Sequence, residues 1–191
     1  MSKIDICNRA LVAVGANVIA SFDDDSAEAI VANQIYDARV KAMMELHDWS
    51  FGKTTADLGA PLASSQTATG YAYAYNLPAG YRKAVQLWKV SEDDPPIDYE
   101  IYGNELHTDE AQTVYLTYMR QVTEEMFTAL FEYALEMRLA ADFAAGLTDK
   151  ADKADYYTRE AERWLRVARN ADSQASPPPR FKVGRLKGAR L

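Results

Sequence analysis

The sequence predicts a mainly α protein of the α+β class, in which a four-helix bundle carries a small antiparallel β appendage between helices 2 and 3 and ends in an extended C-terminal tail. Apolar residues recur at the helical spacing of three and four in segments at about 3–15, 26–47, 124–145 and 149–171. Between the second and third segments, apolar and polar residues alternate in short runs that are typical of strands. Three consecutive prolines follow the last helix and divide the chain into a single domain over 1–175 and a Pro-led tail over 176–191.

The first two helices carry start signals. Ser2 precedes helix 1 as an N-cap with Asp5 in the first turn, and Ser26 with Glu28 behind it opens helix 2. The acidic run before Ser26 lacks the alternating oxygen ligands of a calcium loop, which favours a cap and a loop. The single cysteine, Cys7, lies in the apolar stripe of helix 1, and we expect it to be buried in the core.

Residues 52–119 form the predicted arm and β region. The small and polar residues from Gly52 to Gly70 predict an extended arm or loop. Alternation predicts strands at about 81–90, 97–102 and 113–119, preceded by three alternating tyrosines. Tyrosines can stack on bases or sugars, but at this spacing they are more typical of a strand face or an oligomer interface. The predicted interface with a neighbouring subunit or the tail comprises Lys53, Leu58, Tyr71, Tyr73 and Tyr75.

The last two helices differ in their patterning. Helix 3 has a narrow polar side, so it must be packed on several sides, and we expect Phe131 and Leu135 to lie among the other three helices. Helix 4 is amphipathic, with opposite charges at supportive spacing on its polar face, as in Glu162 and Arg166.

The motifs of common enzyme classes are missing from the sequence. It has no GxSxG elbow, glycine-rich phosphate loop, dinucleotide fingerprint or HExxH. With one cysteine and two histidines, a zinc site is not expected. We therefore predict a protein that is not an enzyme and has no catalytic residue, cofactor or metal.

Three residue pairs have the residue types of catalytic groups. His47 and Asp48 are the best acid–base pair, but neighbours at a helix end do not face each other, which favours a packing corner. The pairs Glu124–Glu125 and Asp93–Asp94 are of the type that glycosidases use. Their places, in a first helical turn and a turn flanked by prolines, favour capping and solvation.

Charge is divided unequally along the chain. The net charge of the chain is −7, yet no acidic residue follows Asp172. Five of the 21 basic residues lie beyond Asp172, so the chain up to and including Asp172 has 16 basic and 28 acidic side chains. Such asymmetry is typical of an interaction tail. No run of apolar residues is long enough to span a membrane, and no apolar segment of secretory type follows Met1, so we expect the chain to act where it is made.

Six short segments, spread in order over nearly the whole chain, share a pattern with one known family. They are Asn8–Leu11 with Val14, Gly15 and Ile19; Ser26–Ala29 running to Tyr36–Arg39; His47–Phe51; Tyr75–Pro78; Tyr99–Leu106 with Thr108, Asp109 and Tyr115–Tyr118; and Ala134–Leu135 running through Arg138–Ala141 to Thr148. Together they resemble the head-to-tail adaptor family of tailed bacteriophages, the group that includes the tail tubular protein A type.

The resemblance implies a structural protein of the virion. Such an adaptor forms a ring of about twelve copies that docks on the portal protein after DNA packaging, helps to close the head and offers the attachment surface for tail or nozzle proteins. DNA passes through the ring without sequence-specific binding, and the acidic body suits that passage. The implied location is the head–tail interface of the virion, and the host cytoplasm during assembly.

The resemblance also gives the tail a role, because C-terminal segments of such adaptors commonly reach into the portal. The predicted portal-binding residues are Arg180, Phe181, Lys182, Val183, Arg185, Leu186, Lys187, Arg190 and Leu191. Two other functions stay open at this point. One is a nucleic-acid-binding module that acts through the basic tail, and the other is a small carbohydrate-active enzyme that uses paired carboxylates.

Overall fold

The computed structural model describes residues 2–62, 69–90, 95–148 and 151–175. The helices are α1 Lys3–Val14, α2 Ala27–Glu45, α3 Ala129–Leu147 and α4 Ala151–Ala175, and the strands are β1 Lys53–Asp57, β2 Tyr73–Asn76, β3 Tyr81–Trp88, β4 Glu100–Tyr102, β5 Glu105–Thr108 and β6 Tyr115–Arg120. Two short 3-10 turns, at Ser50–Gly52 and Glu124–Met126, connect the helices to the strands.

The helix starts follow the sequence signals. Ser2 and Asp5 form a reciprocal capping box at α1, and the hydroxyl of Ser26 accepts a hydrogen bond from the Ala29 amide at α2. The structure moves the start of α3 to Thr128, which caps the Phe131 amide, because residues 124–126 form a separate 3-10 turn. The prediction that helix 3 begins at about 124 was therefore wrong by one turn.

Helix α3 is the centre of the helical body, as expected from its apolar surface. It packs against α1, α2 and α4, and both Phe131 and Leu135 are completely buried. Two ion pairs fix the neighbours of α3. Arg39 on α2 makes bonds of 2.5 and 2.8 Å to the carboxylate of Asp142, and Arg9 on α1 lies 2.9 Å from Glu136. Cys7 is buried in this core, which confirms its predicted packing role.

The strands form two antiparallel sheets of three strands each. The first has the order β1-β6-β3, and the second has the order β2-β5-β4. Strands β4 and β5 are joined by a two-residue turn at 103–104, in which Gly103 has a φ of 59°. A second core, which includes Leu87, Leu106 and Leu116, lies between the sheets, so the strands have a hydrophobic centre of their own.

Strand β6 connects the two cores because its side chains alternate between two faces. Leu116 and Tyr118 belong to the core between the sheets, while Met119 belongs to the helical core. Gly52, just before β1, lies where a Cβ atom would come within 2.8 Å of the Met119 methyl carbon. A side chain at position 52 would therefore have to displace the flexible end of Met119.

The predicted fold class, a four-helix bundle with one small antiparallel β appendage, is contradicted. The region from 53 to 120 instead holds six strands in two three-stranded sheets, with a separate core, before α3 and α4. Residues 53–57, predicted as part of an arm, are the edge strand β1, and residues 105–108 form an unpredicted strand β5. The predicted tail, 176–191, lies outside the described residues.

Candidate functional site

The predicted interface residues are not brought together on one free surface. Lys53 is the first residue of β1 and is exposed, whereas Leu58 and Tyr73 are half-buried against the core between the sheets. Tyr75 is completely buried, and its hydroxyl donates to the carbonyl oxygens of Glu110 and Gln112. The ring of Tyr75 therefore has no surface to offer a partner in this fold.

Tyr71 is the remaining tyrosine of that set, and it is half-buried. Burial, with Glu100, Asp98 and Asp109 nearby, raises the pKa of its phenol. The residues assigned to portal binding, Arg180 to Leu191, lie outside the described part of the chain.

The two members of the suspected acid–base pair point to different partners. The His47 Nε2 atom lies 3.0 Å from a carboxylate oxygen of Asp172, whereas Asp48 pairs with Lys83 at 2.8 Å. Asp172 is buried at the end of α4 and also accepts from the backbone amide and the hydroxyl of Ser50. The expected divergence of the neighbouring side chains is therefore present.

His47, Ser50 and Asp172 have the residue types of a hydrolytic triad in a different arrangement. In a triad the imidazole lies between hydroxyl and carboxylate and removes the hydroxyl proton. Here the carboxylate lies in the centre, and the Ser50 hydroxyl donates to it over 2.5 Å. This arrangement holds the end of α4 against the turn at Ser50–Gly52, and the Ser50 hydroxyl and the His47 ring both bind the Asp172 carboxylate.

The other acidic candidates have separate environments. Glu124 and Glu125 are in the 3-10 turn before α3, where Glu125 is exposed. Asp93 and Asp94 lie outside the described residues. The second histidine, His107, is buried between Thr69 and Glu105, at 2.8 and 3.2 Å. Within the described ranges, no three His, Cys, Asp or Glu side chains are grouped so that they could hold a metal ion.

An open cleft of 490 Å³ lies at the edge of the β region. Its lining combines Lys89, Asp98 and Glu110 with Pro95, Pro96 and Ile97. The ammonium group of Lys89 pairs with the Glu110 carboxylate, and the Thr108 hydroxyl donates to the carbonyl of Asp98. The polar groups of this cleft therefore bind one another.

A second depression, of 280 Å³, lies between α2 and α4 and has α3 as its floor. Small and apolar side chains from the three helices line most of it, with Arg39, Arg138 and Glu162 among them. Leu46 lies at its α2 side and is 53% exposed. This groove is an apolar surface of the folded subunit. Its residues come from three helices, so no local sequence pattern predicts it.

Further large apolar side chains are exposed on the helical body. Val12, Val18 and Ile30, which come from the first two helices and the loop between them, are 62%, 60% and 50% exposed. We call Tyr133, Tyr156 and Val167, which are 40%, 54% and 40% exposed, the α4 patch. Single exposed apolar residues are common on soluble proteins, but groups of them mark interaction sites.

The α4 patch has the composition of a protein interface. The ring of Tyr133 meets the ring of Trp164 edge-on at 4.8 Å, and the guanidinium of Arg163 lies 5.9 Å from the same indole. Tyrosine, tryptophan and arginine are the residues most enriched at binding hot spots. The sequence carries a signal for the α4 patch, because Tyr156 and Val167 fall outside the buried stripe of helix 4.

The described residues thus form four helices and two small sheets, and several large apolar and aromatic side chains of the helical body are exposed. No family model matches the chain, and the search of curated proteins found no match either. None of the helices in the described ranges combines the length and the apolar character that are needed to cross a membrane.

Proposed function

We propose that the chain is a structural virion protein, a ring-forming head-to-tail adaptor of a tailed bacteriophage. About twelve copies would form a ring that docks on the portal protein after DNA packaging and helps to close the head. The ring would offer the attachment surface for tail or nozzle proteins, and DNA would pass through its lumen. The protein would act at the head–tail interface of the virion and in the host cytoplasm during assembly, without catalytic activity.

The observation that carries this proposal is the exposure of large apolar side chains on the first two helices and the loop between them, and again on the last two helices. Exposed apolar side chains support contacts with other protein chains. Contacts between copies close into a ring when the rotation between subunits allows it. The resemblance of six collinear segments to the adaptor family supports the same function.

The basic tail gives the proposal its partner. Residues 176–191 combine five cations with Phe181, Val183, Leu186 and Leu191 and contain no acidic side chain. A segment of this composition suits an acidic, partly apolar groove, because charge speeds the encounter and apolar contacts slow release. We assign the portal as the protein that offers this groove.

The proposal is tested by truncating the chain after Ser176 and measuring attachment to portal-bearing heads filled with DNA. The truncated chain should keep its helix content by circular dichroism and stay soluble, yet fail to attach stably. A matched control replaces 177–191 by a glycine–serine segment of equal length. The assignment of the tail would be refuted by a truncated chain that still caps filled heads and retains their DNA. The proposed function would be refuted by a full-length chain that neither attaches to heads nor forms rings in electron micrographs.

We keep Lys53 and Tyr71, whose side chains reach the surface, in the proposed interface on the strand side. Lys53 is exposed and Tyr71 is half-buried, and residues 63–68, which lie between them in the sequence, are outside the described ranges. Because β1 ends at Asp57, a deletion that tests this segment must spare it and remove 60–68 only. We expect a folded protein that assembles poorly, and assembly onto heads at the normal level would show that the segment is dispensable.

A further inference from the structure

Strand β1 is an edge strand of the first sheet, and one of its sides faces no other strand of the described chain. The Leu58 amide, just after β1, donates to the carbonyl oxygen of Val114, just before β6. Backbone bonds in an antiparallel ladder recur at every second residue. The even-numbered residues of β1 therefore bond to β6, whereas Thr55 and Asp57 direct their backbone groups away from it. We call this open side, with Lys53, Thr55 and Asp57, the β1 edge.

The outer sides of two other strands already have partners. The Ile97 amide donates to the carbonyl of Leu87 on β3, and the Leu62 amide donates to the carbonyl of Ala74 on β2. Strand β4 is only three residues long. Among the described residues, no backbone group bonds to Thr55 on its open side. The β1 edge therefore offers unused backbone donors and acceptors to a further strand.

A positive and a negative side chain flank the centre of the β1 edge. Lys53, Thr55 and Asp57 are all exposed and lie on one face, since residues two apart in a strand share a face. One oxygen of the Asp57 carboxylate accepts the Gly59 amide at 2.7 Å. Neither Lys53 nor Asp57 takes part in an ion pair within the described part of the chain.

The neighbouring cation of the same sheet has a partner of its own. In the register of the strands, Met119 separates Lys53 from Lys83, and Lys83 pairs with Asp48 at 2.8 Å. The side chains of Lys53 and Asp57 can therefore pair with charges of another chain.

We propose that the β1 edge pairs with the β1 edge of a second copy of this chain, in an antiparallel arrangement centred on Thr55. Thr55 then lies opposite Thr55 of the second copy, and Lys53 lies opposite its Asp57. Charge selects both the occupant and the direction, because the order Lys53, Thr55, Asp57 is complementary to itself when it is reversed. A parallel pairing would place Lys53 opposite Lys53, and like charges directly opposite each other are unfavourable.

The backbone groups of the β1 edge fit this register. Thr55 has both its N–H and its carbonyl on the open side, so the two copies exchange hydrogen bonds at the centre. The Lys53 amide already donates to the Trp49 carbonyl at 3.1 Å, which leaves the Lys53 carbonyl as an acceptor for the Asp57 amide of the second copy. The first sheets of the two copies would then form one continuous sheet.

This contact goes beyond the proposed ring. A two-fold contact uses the same surface on both copies, whereas a ring built by rotation alone uses two different surfaces. The pairing is therefore a property of the free chain and does not depend on a portal or a tail. Because one short strand pair buries little area, the dimer should be weak.

The register is tested with cysteine variants of the full-length chain, oxidised in a glutathione redox buffer and analysed on non-reducing gels. Thr55→Cys places two thiols opposite each other, with Cα atoms about 5.5 Å apart, a distance that a disulfide bridges. Lys53→Cys is the matched control, because its two copies would lie at least about 13 Å apart, four residues along the strand. We expect about tenfold more disulfide dimer from Thr55→Cys than from Lys53→Cys.

A mixture gives the second half of the register test. Lys53→Cys mixed with an equal amount of Asp57→Cys should form the disulfide dimer again, since these two positions face each other in the proposed pairing. The native thiol of Cys7 is buried and is present in all of these chains.

The backbone contact is tested by Thr55→Pro, which removes the outward N–H and no bond of the β1–β6 ladder. Self-association, measured by sedimentation velocity at concentrations up to about 1 mM, should weaken by about tenfold or more, because each copy loses a donor. Thr55→Val keeps the N–H and should associate like the unaltered chain. Circular dichroism checks that both variants are folded, and the cysteine variants test the contact if the proline variant is not.

Four results would overturn the inference. They are equal disulfide yields from Thr55→Cys and Lys53→Cys, no disulfide dimer in the mixture, a folded Thr55→Pro chain that associates like Thr55→Val, and an unaltered chain that stays monomeric at about 1 mM. None of them involves portal-bearing heads, so a failure of this contact and a failure of the proposed function can be distinguished.

Discussion

Asp172 shows how one buried side chain fixes the position of a whole helix. It lies near the end of α4, accepts hydrogen bonds from the amide and hydroxyl of Ser50 and lies 3.0 Å from the His47 ring. Asp172 is more than a hundred positions away from His47 and Ser50 along the chain, so no local pattern predicts their meeting. The sequence indicates His47 as a residue of interest, but it predicts no structural role for Ser50 or Asp172.

Replacing this carboxylate should be costly. In Asp172→Ala, the amide and hydroxyl of Ser50 and the His47 ring lose their partner while remaining partly buried, and we expect the free energy of unfolding to fall by about 2–3 kcal/mol. Urea denaturation followed by circular dichroism measures this. Asn170→Ala, an exposed change on the same helix, should stay within about 0.5 kcal/mol of the original chain. Equal stabilities of the two variants would show that the Asp172 contacts are not stabilising.

Glu136 makes stability depend on pH. Burial raises the pKa of this carboxyl above its ordinary value of 4.5, although Arg9 opposes the rise. The folded chain therefore holds the Glu136 proton more tightly than the unfolded chain does, so this group's contribution to stability is present below pH 4.5 and is lost as pH rises through the folded pKa.

The variant Glu136→Gln removes that titration and isolates its effect. Relative to the variant, the original chain should gain stability as pH falls toward 4.5, and the gain should level off below that value. Urea midpoints of both chains measured between neutral pH and pH 4 test this. A difference that is constant over the range would show that burial does not perturb Glu136.

At the scale of elements, the helices were predictable, whereas two of the six described strands, β1 and β5, were not. Caps at Ser2 and Ser26 and the apolar period gave α1 and α2 to within two residues, because these signals are local. Strand β1 reads as a polar arm because its residues are exposed or half-exposed at a sheet edge, and its pairing partner β6 lies about sixty positions away. Strand β5 has only four residues, three of them buried, so it shows no alternation to detect.

The core between the two sheets leads to a prediction that does not follow from a single small β appendage. Leu106 on β5 and Leu116 on β6 belong to different sheets but to the same buried cluster. In a double-mutant cycle with alanine at both positions, the two losses of stability should be non-additive by about 0.5 kcal/mol or more, since residues that share a cavity couple.

The matched comparison pairs Leu106→Ala with Phe131→Ala, which lies in the helical core. Those two losses should add to within about 0.5 kcal/mol, as they do for distant sites. Additivity in both cycles, measured by urea denaturation, would mean that the two sheets do not share one core.

At the scale of the molecule, the division of charge bears on the competing function. A nucleic-acid-binding module that used the five cations of the tail would bind duplex DNA with a log–log salt slope of about −4.5. The proposed adaptor has an acidic body and should bind duplex only weakly at physiological salt. Fluorescence anisotropy with a labelled duplex, on the full chain and on the chain truncated after Ser176, separates the two functions. Tight, strongly salt-dependent binding that disappears on truncation would favour the nucleic-acid module.

The positions of the three tryptophans give each part of the molecule its own optical signal. Trp49 is completely buried in the helical core between Phe51 and Phe131. Trp88 stacks on Tyr115 at 4.6 Å in the first sheet, and Trp164 is half-buried on α4 beside Arg163. In chains that keep a single tryptophan, the emission of Trp49 would report melting of the helices and that of Trp88 melting of the strands. The emission of Trp164 would report changes in the surroundings of α4, so each of these regions could be followed separately in its own single-tryptophan chain.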